Sequence, residues 1–150
     1  MKSTLLKLIL AITLAAIPSA FAHQDIKIGP NGGRIFALES KNIPQMEVGT
    51  KDGKFVIHLL DSAGRPLPIG ERILTVTAGA RSKPETLVVE RGERTFIAAI
   101  PKGDEFPVVF QLRETKGAKA LTARMNYDGK TCGECKKPEW LCSCGSPQAR

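Results

Sequence analysis

Four cysteines, Cys132, Cys135, Cys142 and Cys144, are all the cysteine in this 150-residue chain, and all lie in its last nineteen residues. They read Cys-Gly-Glu-Cys, then six residues, then Cys-Ser-Cys. A disulfide framework that braces a fold spreads its cysteines through that fold. A cluster confined to a tail makes a local object: a metal site, one or two tight disulfides, or a redox pair. Paired as Cys-x2-Cys and Cys-x-Cys, four thiolates can occupy the corners of a tetrahedron. That arrangement suits Zn²⁺, and thiolate also selects soft Cu(I). Gly133 and Gly145 let the chain bend beside a metal, and Lys136 and Lys137 favour thiolate by lowering cysteine pKa. Trp140, between the pairs, is placed to pack as a lid on the rest of the molecule.

Two other chemistries compete for the same residues. Four is an even number, so Cys132–Cys142 with Cys135–Cys144, or the crossed alternative, would close the tail with disulfides, whereas pairing within Cys142-Ser-Cys144 would be strained. A catalytic redox pair prefers Cys-x2-Cys at a helix start in a thioredoxin-like fold, and the body of this chain offers no such pattern. The chain has only two histidines, His23 and His58. As a first mature residue, His23 could chelate Cu(II) through its amino group and ring, with His58 as the second imidazole of a copper-enzyme brace. The chain has no Gly-x-Ser-x-Gly, no His-Glu-x-x-His and no Rossmann glycine run. A non-catalytic binding protein is therefore the expectation.

The elements around this tail follow from the rest of the sequence. Met1 to Ala22 reads as a signal peptide: a positive start, an apolar run from Leu8 to Ile17, and a small-x-small site at Ala20-Phe21-Ala22. No later apolar run is long enough to span a bilayer. The expected mature chain begins at His23, is periplasmic or secreted, and has no membrane span. Losing Lys2 and Lys7 leaves 20 basic residues against 15 acidic ones. They are interspersed, as in Lys51-Asp52 and Glu93-Arg94, without the concentrated basic footprint that nucleic-acid binding requires.

The body, residues 23–128, carries short apolar runs separated by turn residues. The runs are Arg34–Leu38, Gln45–Thr50, Phe55–Asp61, Ile73–Ala78, Thr86–Glu90, Thr95–Pro101, Val108–Arg113 and Leu121–Asn126. Several alternate with period two, as in Phe55, Ile57 and Leu59, and are rich in Val, Ile, Thr and Phe. Regular spacing with Gly, Pro, Asp and Asn between runs predicts an all-β, antiparallel β-sandwich of immunoglobulin-like or transthyretin-like kind. An OB-type barrel is the alternative. Gly29-Pro-Asn-Gly-Gly33 reads as a turn. Residues 129–150 form the C-terminal four-cysteine module.

Gly29-Pro-Asn-Gly-Gly33, Leu60-Asp-Ser-Ala-Gly-Arg-Pro66, Thr75-Val-Thr-Ala-Gly79 and the closing Cys132-Gly-Glu-Cys-Lys-Lys-Pro-Glu-Trp-Leu-Cys-Ser-Cys144 together resemble a group of small exported bacterial proteins of undefined function. Some of these are similar to proteins encoded near heavy-metal efflux systems. The resemblance implies a periplasmic metal-handling accessory. Some relatives carry His where this chain has Asn31, so the resemblance implies one ligand fewer in that loop here. The resulting expectation is Zn or Cu(I) on Cys132, Cys135, Cys142 and Cys144. The alternative is an interaction module with a disulfide-closed tail and another envelope protein as partner.

Overall fold

The computed structural model describes residues 26–144. Alternation decides which side chains turn inward. In β3 (Lys54–Leu60), Phe55, Ile57 and Leu59 are fully buried, and the same pattern recurs in β4 (Ile73–Ala78) with Leu74, Val76 and Ala78. β1 (Arg34–Ala37), β2 (Gln45–Lys51), β3, β7 (Thr95–Ala99) and β6 (Val89–Arg91) form one antiparallel sheet in the order β1-β2-β3-β7-β6. β5 (Glu85–Leu87), β4, β8 (Glu105–Arg113) and β9 (Leu121–Asp128) form the other, in the order β5-β4-β8-β9. The all-β sandwich expected from the sequence is the fold observed, as two separate sheets instead of one closed barrel.

The core between them is aromatic at its centre. Phe55 of one sheet meets Phe110 of the other edge-on at 5.9 Å, and meets Tyr127 edge-on at 5.5 Å. Such pairs contribute roughly 0.5–1.5 kcal/mol beyond the area they bury. Tyr127 in turn lies 5.9 Å from Trp140, so one chain of rings runs from mid-core into the cysteine module.

The hairpin between β2 and β3 sets the register on the outer face of the five-stranded sheet. Lys51 pairs with Lys54 across Asp52-Gly53, and both turn residues have positive φ, 50° and 72°. This is the two-residue turn whose twist matches that of its strands, and it places Glu47 opposite His58.

The strand bounds differ from the expectation in two informative places. The run Thr86–Glu90 is not one strand. It divides at Val88, which is 84% exposed, into β5 in one sheet and β6 in the other. β8 begins at Glu105, three residues early, and contains Pro107. The proline is tolerated because its carbonyl side faces Gly79, beyond the end of β4, where Gly79 N–H donates to Pro107 O. The ring nitrogen cannot return the reciprocal bond to Gly79, so the β4–β8 ladder ends there. Among the described residues, no helix is long and apolar enough to cross a membrane.

Candidate metal centre

After β9 the chain doubles back as a narrow two-stranded ribbon. Glu139 N–H donates to Lys130 O, Thr131 bridges Pro138, and Cys132 N–H donates to Lys137 O. The ribbon's tip is Cys132 to Lys136, closed by Lys136 N–H on Cys132 O. Lys136 sits there with φ 60°, a left-handed conformation that costs a non-glycine residue something. Its ammonium group donates to Gly133 O at 2.7 Å. Gly133, expected to permit the bend, has open space where a Cβ would lie, so the turn is made at Lys136. Gly145 lies outside the described residues.

A single 3-10 turn, Glu139–Leu141, then reverses the chain and carries Cys142 and Cys144 back to the tip. Trp140, 3% exposed, and Leu141 drive this step by inserting into the sandwich core. Trp140 thus packs as the sequence suggested, against Tyr127.

The four thiols converge. Cys142 Sγ lies 3.3 Å from Cys132 Sγ and 3.7 Å from Cys135 Sγ, and Cys132 Sγ lies 3.9 Å from Cys144 Sγ. All four sulfurs fall within 4.8 Å of one another. Bonded sulfurs would be about 2.05 Å apart. The cysteines are free thiols, and the disulfide-closed tail is not found. A tetrahedron with metal–sulfur bonds of about 2.3 Å has edges of about 3.8 Å, and the measured separations bracket that length.

The surroundings treat the sulfurs unequally. The N–H groups of Cys135 and Glu134 point at Cys132 Sγ, and with a hydrogen bond from Cys142 they hold its thiol down at about 7. The cause is the folded ribbon tip. Backbone N–H groups, and not the lysine charges expected from the sequence, are the leading cause. The Cys144 N–H favours thiolate at Cys142, but the hydrogen bond Cys142 donates to Cys132, together with burial and the neighbouring Cys135 thiol, prevails and pushes its pKa up. Cys144 is pushed up strongly, first by hydrogen bonding to Cys135 and then to Cys142. Four adjacent thiols resist full ionisation until a cation compensates the charge, as a metal does when it displaces their protons.

Of the two histidines, only His58 is described, and it is not part of this centre. His23 lies outside the described residues. His58 sits on the outer face of the five-stranded sheet, in the row Lys27, Ile35, Glu47, His58, Thr95. Its Nδ1 is buried without a hydrogen-bond partner among the described residues.

Glu47, not singled out from the sequence, is the one buried charged residue among those described, at 0% exposure. Asn31 and Gly33 donate their backbone N–H groups to its Oε1 at 2.8 and 2.9 Å, and Asn31 Nδ2 donates to Oε2 at 2.7 Å. Gly29 and Gly33 allow the loop to lie this close. A Cβ on Gly29 would sit 2.5 Å from the Glu47 carboxyl carbon, and one on Gly33 would sit 2.5 Å from Val48 O. A signal for Glu47 was present in the sequence: counting outward from the Asp52-Gly53 turn sets position 47 opposite 58.

Comparison of the chain with protein-family models, curated proteins and solved structures gives no match.

Proposed function

We propose that the protein is an exported metal-binding accessory that holds one Zn²⁺ or Cu(I) ion on Cys132, Cys135, Cys142 and Cys144. The observation that carries this reading is the convergence of four unbonded thiols at separations that bracket a tetrahedral edge. The N–H groups aimed at Cys132 add to it, since they stabilise the deprotonated form a metal requires.

The role is binding or carrying and not catalysis. Four thiolates close the coordination shell of a tetrahedral ion, whereas catalytic zinc keeps one position open for water or substrate. A closed tetrathiolate around Zn²⁺ has two surplus negative charges, and Lys130, Lys136 and Lys137 on the ribbon lie close in sequence to offset them. The export assignment rests on the leader-like residues 1–22.

The test is elemental analysis with thiol titration on reduced protein recovered from the exported fraction. About one equivalent of Zn or Cu per chain is expected, with thiols protected until a chelator is added. Cys135→Ser should lose the metal or bind it at least tenfold more weakly. Cobalt substitution then separates the two ions, because a tetrahedral tetrathiolate Co²⁺ spectrum marks a divalent site. Full-length protein with no metal after reduction and reloading would sink the proposal.

A further inference from the structure

We propose that the cavity between the Gly29–Gly33 loop and the outer face of β2 and β3 borders a second site for a divalent transition-metal ion, with His58 and Glu47 as its protein ligands. Their register fits them for this. They are directly opposed partners on one sheet face, so their Cβ atoms lie about 4.5–5.5 Å apart. From there an imidazole nitrogen and a carboxylate oxygen can both reach one ion at about 2.0–2.2 Å.

The carboxylate is already oriented for the task. Three N–H donors hold Glu47, two on Oε1 and one on Oε2. A carboxylate offers about four acceptor positions, which leaves one on Oε2. This is the usual arrangement of a ligating carboxylate steadied by outer hydrogen bonds. The imidazole is the complementary half. Its buried Nδ1 has no partner among the described residues, and a buried polar atom in that state is costly. A cation bound there satisfies it.

The cavity measures about 270 Å³, with Asn31, Glu47, His58, Thr50, Lys51 and Leu141 on its wall. That is room for an ion and several waters at about 30 Å³ each. Its ligand chemistry differs from that of the cysteine centre. One imidazole with one carboxylate suits a borderline divalent ion such as Zn²⁺, and offers neither the thiolates that Cu(I) selects nor the all-oxygen shell of Ca²⁺ or Mg²⁺. Two protein ligands leave the remaining positions to water, so the site is weaker and more exchangeable than the tetrathiolate.

The test is a calorimetric Zn²⁺ titration of reduced protein whose cysteine centre already holds one equivalent. A second, weaker equivalent is expected. His58→Ala should abolish it, Glu47→Gln should weaken it at least tenfold, and His23→Ala should leave it unchanged. Cys135→Ser, on the ribbon tip and away from the Leu141 wall of the cavity, should lose or weaken the first equivalent and keep the second, so the two sites succeed or fail separately. Glu47 also ties down the loop, so His58→Ala carries the test, with its melting curve as the check on folding. The absence of a second equivalent, or one that follows His23 instead of His58, overturns the proposal; a bridging water would then satisfy His58 Nδ1.

Discussion

At the scale of single residues, the centre is defined by backbone as much as by sulfur. Cys132 differs from its three neighbours because the Glu134 and Cys135 N–H groups turn toward it. The reduced, metal-free protein should feel that difference in its stability. The folded pKa of Cys132, about 7, lies below the ordinary thiol value of about 8.5. Between those values the unfolded chain holds a proton that the folded chain has lost, so stability rises with pH. Cys142 and Cys144 are raised. Above about pH 8.5 the folded chain retains protons that the unfolded chain has released, and stability falls. Urea melts of the reduced apoprotein should show this rise and fall, whereas the zinc-loaded protein should show a steeper rise up to about pH 8.5 and no fall, because its unfolding releases the metal and returns protons to four thiols. A flat apoprotein profile across that window would mean that the ribbon tip does not form without metal. The four cysteines were legible because their type and spacing are sequence properties. The N–H groups that bias Cys132 were not, because they depend on the left-handed turn at Lys136, a residue type that does not announce one.

At the scale of elements, period-two alternation in several runs, with turn residues between them, was the informative signal, and together they located the sheet-forming runs. They misjudged those runs where a strand's surroundings change along its length. Thr86–Glu90 looks continuous, yet the chain leaves one sheet and enters the other at Val88. Pro107 looks like a breaker, yet it lies past the end of its neighbour β4. The Glu47–His58 juxtaposition was legible in principle from Asp52-Gly53. The burial of Glu47 was not, because it depends on a loop that folds over the sheet fourteen residues earlier in the chain. The 3-10 turn Glu139–Leu141 yields a prediction at this scale. Trp140 is buried against Tyr127, but its Nε1 is buried without a partner among the described residues. Trp140→Ala should therefore cost about 3–5 kcal/mol, the usual range for emptying a buried aromatic site. Trp140→Phe should cost about 1 kcal/mol or less, because removing an unpaired buried N–H offsets part of the lost volume. Chemical denaturation of both variants checks the ordering. Equal losses would show that the indole N–H makes a bond that matters.

At the scale of the whole molecule, the cysteine module and the sandwich share one core. Trp140 and Leu141 belong to the same buried cluster as Phe55, Phe110 and Met125, and the ring chain through Tyr127 joins them. Cys142 follows Leu141 directly, so a metal held by Cys142 also holds Leu141 in the core. Metal binding should therefore stabilise the sandwich and not merely the tail. An ion present at a thousand times its dissociation constant adds about 4.1 kcal/mol to the state that binds it. For a chain of this size that corresponds to a rise in melting temperature on the order of 10 °C. Reduced protein should melt in a single transition with metal, and in a single transition about that much lower after a high-affinity chelator. Far-ultraviolet circular dichroism from the sheets and tryptophan fluorescence from the module should follow the same curve. If the chelator instead released the tryptophan signal early and left the core transition in place, the module would be folding on its own account. Trp140 and Leu141 would then add little to the sandwich, and a site that senses metal could not report it through the core.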